Sequence, residues 1–190
     1  MNRPATLLVL LLAGLLADCG GVSRPTGIRT AETPADDVAE YQPRWRSHTV
    51  DSTQYRKVFL AGTIDMGRSA DWQAALVARF RDSIGGRWLF FNPRRREFHA
   101  SPAEMEYQVA WELAHLEAAD LIVMNLLGDS RSPISLLEMG LYARSGKLFV
   151  ACSPDYYRYD NVRITCRRYG VPLYDSLTAL LDDLPQQSDE

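Results

Sequence analysis

The chain has 190 residues, 46% of them apolar and 24% charged, which suits one packed domain plus extra sequence and excludes a wholly disordered protein. Its 21 Lys and Arg against 24 Asp and Glu leave a net charge of −3, so no overall positive field supports nucleic-acid binding. His48, His99 and His115 lie far from one another and from the cysteines, so no metal site is expected and no cofactor is implied.

The N-terminus, "MNRPATLLVLLLAGLLADCGG", has one Arg and then an apolar run from Ala5 to Ala17. That run is short for a bilayer span and fits the core of a signal peptide. The ending "LADC" resembles a bacterial lipoprotein signal, in which Cys19 is lipidated and becomes the new N-terminus, leaving the domain exported or membrane-anchored. Asp18 departs from that pattern, which has a small uncharged residue before the Cys. Other export, or a mis-assigned start on a cytoplasmic protein, are the alternatives. Residues 1–19 are thus read as the signal and 20–54, rich in Pro, Thr, Arg and Asp, as a tether. Tyr41 and Trp45, in "YQPRWRSHTV", are its two large aromatics able to pack on a domain.

From Tyr55 the texture changes, and 55–184 reads as the domain, with 185–190 as a tail. "KVFLAGTI" (57–64) is a short apolar run closed by a glycine-containing turn, as in a strand buried on both faces. Ser69 is placed to cap a helix whose Trp72, Leu76, Phe80 and Ile84 repeat every four residues, and Gly85 and Gly86 end it. "RWLFFNP" (87–93) is the second strand. The run Arg94, Arg95, Arg96 follows Pro93 and reads as a solvated loop, with a phosphate clamp as the alternative. "SPAE" (101–104) is a capping box opening a helix to about Ala118, with Met105, Val109, Leu113 and Leu116 at core spacing. "DLIVMNLL" (120–127) is the third strand, and Pro133 starts a helix that Gly146 ends. "KLFVACSP", "NVRITCRRYG", "VPLY" and "SLTALLDDL" supply a strand, a helix, a fifth strand and a last helix. Pairing of Cys152 with Cys166 is left open.

Strands alternating with helices predict an α/β fold, a doubly wound five-stranded parallel sheet of flavodoxin-like order. Ligands bind such sheets where the winding reverses, which here brings "GTIDMGR" (62–68) to face "GDSRSP" (128–133). The helix from Pro133 starts at the second loop and carries Glu138 between Ile134 and Tyr142, on the apolar stripe. A carboxylate there is costly unless it serves a cleft. Glu112, beside the stripe of the preceding helix, is a second candidate or else a boundary residue with its head in water. Two carboxylates in one apolar cleft push their proton affinities apart. In the loops, Gly62 lets a ligand approach the backbone, with Thr63 beside it, and Ser132 is placed to cap the helix and form an anion-friendly start. "GTIDMG" lacks the G-x-G-x-x-G spacing, which rejects a dinucleotide-binding dehydrogenase.

"VFLAGTIDMGRSADWQ", "WELAHLEAADLIVMNLL" and "SPISLLEMGLYARSGK" resemble, in order and spacing, the nucleoside 2-deoxyribosyltransferase-like family. This flavodoxin-like group includes deoxyribosyltransferases and deoxynucleoside monophosphate N-glycosidases. The resemblance implies that Glu138, in the E-x-G-x-A pattern of "EMGLYA", is the nucleophile, and that Glu112 orients substrate or handles protons, where many relatives have Asp. It implies a nucleoside or nucleotide substrate, a retaining mechanism through a glycosyl-Glu138 intermediate, and sites often completed across subunits of a homo-oligomer. The monophosphate hydrolases carry Ser at the position of Ser132, whereas Asp65 stands where they have Arg; Arg68 and Arg131 are the cations placed to compensate. Where relatives have Tyr, Phe59 or Leu60 stands, so no tyrosine role carries over. The mechanism needs Glu138 ionised, which the positive end of its helix would favour. A non-catalytic nucleotide-binding or sensing module tethered at a membrane is the alternative.

Overall fold

The computed structural model describes residues 38–44, 50–83, 86–95 and 101–184. The leader with Cys19, residues 20–37, Trp45, His48, Ile84, Gly85, Arg96, His99 and the tail 185–190 lie outside the described residues. Among the described residues, no helix is long and apolar enough to cross a membrane.

Six strands form one parallel sheet. They are β1 (Val38–Tyr41), β2 (Arg56–Gly62), β3 (Trp88–Phe91), β4 (Leu121–Leu126), β5 (Leu148–Cys152) and β6 (Leu173–Tyr174), in the order β1-β3-β2-β4-β5-β6. Every residue of β3, β4 and β5 is buried, as expected of strands covered on both faces. Helices α1 (Trp72–Ser83) and α5 (Leu177–Asp183) cover one face; α2 (Pro102–Ala118), α3 (Pro133–Tyr142) and α4 (Tyr159–Tyr169) cover the other. Leaving β1 aside, the strand order is flavodoxin-like, and the winding reverses between β2 and β4.

The sheet has a sixth strand because part of the segment read as a tether belongs to the domain. Val38–Tyr41 pairs in parallel with Trp88–Phe91, Asn92 N–H donates to the Tyr41 carbonyl at 2.8 Å, and the Tyr41 and Phe91 rings lie 6.2 Å apart. A four-residue edge strand presents too few inward residues to register as periodicity.

Two helix starts differ from the expected pattern. Asp71, rather than Ser69, caps α1, its carboxylate accepting from Ala74 N–H at 3.0 Å, while the Ser69 hydroxyl donates to the Ile64 carbonyl. At α2, Ser101 accepts from Glu104 N–H at 3.1 Å, but the Glu104 carboxylate turns to Arg44 and Arg95 instead of closing the box.

The apolar spacing on α1 corresponds to burial, with Trp72, Leu76 and Phe80 in the core. On α2 and α3 it does not. Of the expected α2 stripe only Leu116 is buried; Met105, Val109 and Leu113 are exposed, as are Ile134, Leu137 and Leu141 on α3. The faces turned inward carry Gln108, Trp111, Glu112 and His115 on α2, and Ser135, Glu138 and Met139 on α3.

Candidate active site

Glu138 is 8% exposed, and among the described residues no hydrogen bond or ion pair reaches its carboxylate. It points inward in the company of Ser135 and Met139, not with Ile134, which is 59% exposed. Its inward orientation is therefore as expected, but the apolar stripe that suggested it faces out. Glu112 approaches from α2, half-buried, and accepts from Gln108 Nε2 at 2.7 Å.

The two carboxylates lie close enough for the charge of Glu112 to act on Glu138. Burial first, then the charge of Glu112, pushes the Glu138 carboxyl up to about 8. Glu112 is also raised by burial, with the Gln108 amide opposing the rise. The helix dipole does not offset that rise of Glu138. It acts mainly within the first turn, whereas Glu138 sits mid-helix in α3 and is dominated by desolvation. Of the two, Glu138 is the one that burial pushes furthest toward its protonated form, and the charge of Glu112 adds to that rise.

The two loops meet through hydroxyls. Thr63 Oγ1 and Ser132 Oγ lie 2.8 Å apart, Ser132 Oγ and Ser130 Oγ 2.7 Å, and Ser130 donates to Asp65 Oδ1 at 2.9 Å. Because the Ser130 proton goes to Asp65, Ser132 must donate to Ser130 and Thr63 to Ser132. Thr63 Oγ1 in turn accepts from Leu127 N–H at 3.0 Å. The Ser132 hydroxyl is thus committed within the protein. It makes no capping bond to α3, whose start instead has Ser132 in the left-handed region at φ 39°.

Gly62 and Thr63 are structural in this arrangement. Gly62 has φ +121°, and a Cβ there would stand 2.2 Å from the Asn125 carbonyl oxygen on β4, so strand packing alone requires glycine. Thr63 is fully buried. Arg68 and Arg131 are exposed; Arg68 Nε donates to the Asp65 carbonyl at 3.2 Å, and the Arg131 carbonyl accepts from Tyr156 Oη at 2.6 Å.

Neither expectation for the arginine run describes Arg94 and Arg95, whose side chains are each 11% exposed. Arg94 donates to the carbonyls of Gly67 (3.2 Å), Ser69 (2.7 Å) and Ala70 (3.2 Å), tying the loop after β2 to the end of β3. Arg95 reaches Glu104 and Gln108. Gln108 itself escaped notice in the sequence, although its place four residues before Glu112 on a helix is a signal for contact.

Cys152 and Cys166 are buried and unbridged. Burial pushes their thiols up to about 12 and about 11, respectively, which leaves them poor nucleophiles. Among the described residues no three His, Cys, Asp or Glu converge as metal ligands. A groove of about 320 Å³ between α3 and α4, lined by Leu136, Met139, Gly140, Arg158, Asn161, Val162 and Thr165, includes neither carboxylate.

No curated protein matches the chain. Residues 55–156, just over half of it, match the family described as nucleoside 2-deoxyribosyltransferase like. The match runs from the residue before β2 to just past β5 and includes both carboxylates and the hydroxyl loop. The chain therefore belongs to the nucleoside 2-deoxyribosyltransferase-like family.

Proposed function

We propose that the domain cleaves or transfers the N-glycosidic bond of a (deoxy)nucleoside or its 5′-monophosphate, carrying the sugar transiently on Glu138. Family membership supports the reaction class. The observation that carries the assignment to this residue is a buried carboxylate with no partner, paired electrostatically with a second one. Unpartnered, it is free to bond to carbon, and its proton affinity lies near working pH.

The proton of the pair fits this chemistry. In the first step Glu138 gives up its proton, by way of Glu112, to the departing base. As the C1′–N bond breaks, its electron pair leaves with the base nitrogen, and a Glu138 oxygen bonds to C1′ through an oxocarbenium-like state. The base leaves neutral, and Glu112 keeps the single negative charge. In the second step a water oxygen, or a second base, attacks C1′. The ester bond breaks, Glu138 takes back the electron pair, and the attacking group's proton returns to the carboxyl pair. Glu112 is thus acid and then base.

Incubating the full chain with deoxynucleosides, ribonucleosides and their monophosphates, and separating the products, reports free base directly. Wild type is expected to release base from at least one of them, and Glu138→Gln to lose at least about 10³-fold in rate while staying folded. Wild-type rates in the variant would end the proposal. One feature favours the rival, a non-catalytic nucleotide-binding module: burial pushes the ligand-free Glu138 carboxyl up to about 8, away from the charged form of a nucleophile. Saturable nucleotide binding to wild type with no base released would establish that rival.

A further inference from the structure

The Glu112 carboxylate is the last group of a ladder that starts outside the family-matched residues. Arg44, in the turn after β1, donates from Nη2 to Glu104 Oε1 at 2.6 Å, and its guanidinium lies 3.8 Å from the centre of the Tyr107 ring. Glu104 Oε2 accepts from Arg95 Nη2 at 2.8 Å, and Arg95 Nη1 donates to Gln108 Oε1 at 3.4 Å. Gln108 Nε2 then donates both to the Pro93 carbonyl at 3.1 Å and to Glu112 Oε1 at 2.7 Å.

These partners fix which way the Gln108 amide faces. Rotated by half a turn, its oxygen would meet two acceptors, the Pro93 carbonyl and the Glu112 carboxylate, and its NH₂ would meet the Arg95 cation. Gln108 is 9% exposed, so water does not compensate for the wrong orientation. The amide is therefore locked as a donor toward Glu112, and a donor stabilises a carboxylate in its charged form. The two arginines hold Glu104 ionised, lowering its proton affinity, Arg95 more than Arg44.

We propose that Gln108 is a positioning residue that orients Glu112 and keeps the charge of the carboxylate pair on it. We propose further that Arg44, N-terminal to the family-matched region, supports Gln108 through Glu104 and Arg95. The consequence for the reaction is an assignment of roles: with the charge held on Glu112, the proton stays on Glu138 until substrate arrives. The proposal rests on the glycosyl-transfer reading for its purpose but not for its test.

Carbon-13 NMR titration of the glutamate carboxyls in the full chain, with the two signals assigned from Glu112→Gln and Glu138→Gln, reads the pair without any substrate. Gln108→Leu is expected to raise the Glu112 midpoint by about one pH unit, and Arg44→Ala to raise it less, in the same direction. Given a wild type that releases base, Gln108→Leu should lower kcat by ~10- to 100-fold with KM nearly constant, and move the acidic limb of the pH–rate profile with the Glu112 midpoint. A Glu112 midpoint unmoved in Gln108→Leu, with only a lower Tm, would overturn the Gln108 role. Movement in Gln108→Leu but none in Arg44→Ala would overturn the Arg44 role. Should Gln108→Leu fail to fold, the unbranched Gln108→Met decides the Gln108 role by the same midpoint, and Arg44→Ala, at a side chain 51% exposed, decides the Arg44 role. Should wild type release no base, the glycosyl-transfer reading falls, and the midpoints still decide this one.

Discussion

The two faces of the sheet are built differently. Against α1 and α5 the contacts are mostly apolar, Gln73 on α1 being a buried polar exception, and Phe80 illustrates them: fully buried, it meets the Trp88 and Phe90 rings edge-on at 4.9 and 5.0 Å. Against α2 and α3 the usual arrangement is inverted. Gln108, Ser135 and Glu138 are buried, while Met105, Val109, Leu113, Ile134 and Leu141 are exposed. A protein that folds through burial of apolar surface does this at a cost. Such local violations of the burial rule concentrate where chemistry or recognition needs them. The first face supplies stability, and the second gives up some of it to hold a buried carboxyl pair.

The largest test of that division is Phe80→Ala. Truncating a fully buried ring among two aromatic neighbours should cost about 3–5 kcal/mol in denaturant unfolding, without altering the Glu138 titration midpoint in whatever fraction remains folded. A loss under about 1 kcal/mol would mean that the α1 face is not where the stability lies.

Next in size is the pH dependence set by Glu138. An unfolded glutamate loses its proton near 4.5, whereas folded Glu138 keeps it to about 8. Between those values folding takes up a proton, so this group's contribution is full below pH 4.5 and is lost as pH rises toward 8, at up to about 1.4 kcal/mol per pH unit. Glu138→Gln carries no such proton. The variant should match wild type in stability near pH 4.5 and exceed it by on the order of 4 kcal/mol at pH 8. Parallel stability curves for the two proteins would show that Glu138 is solvated, and the inverted face would lose its central member.

The same division decides what was legible in the sequence. On the conventional face, spacing translated directly into burial: Trp72, Leu76 and Phe80 lie where a four-residue repeat places them. The alternation of strands and helices likewise gave the switch point between β2 and β4, because crossover handedness leaves few other topologies. On the inverted face the rule that apolar means inward failed. The apolar stripe that singles out Glu138 points the other way, and Gln108 carries no sequence signal beyond its spacing to Glu112. The resemblance to the family singles out the same two carboxylates, and the structure brings them close enough for the charge of Glu112 to act on Glu138. The position of Ser132 before Pro133 predicts a cap, but the left-handed backbone there turns the hydroxyl to Thr63 and Ser130. Strand β1 was hidden because the contacts holding it come from β3, some fifty residues away in the chain.

Smallest in expected size, and sharpest for the inverted face, is Val109→Ser. Helical spacing alone makes Val109 a core residue, for which losing the isopropyl group and burying a hydroxyl would cost upward of about 2 kcal/mol. At 44% exposure the same change should cost no more than about 0.5 kcal/mol. Unfolding measured at two protein concentrations at least tenfold apart checks more than the magnitude. A small loss, independent of concentration, is the result expected of a stripe that faces water. A larger loss that appears only at the higher concentration would mean that a second copy of the chain covers Met105, Val109 and Leu113, because association stabilises by mass action while burial within one chain does not. A large loss at both concentrations would put Val109 back in the core and remove the contrast between the two faces at α2.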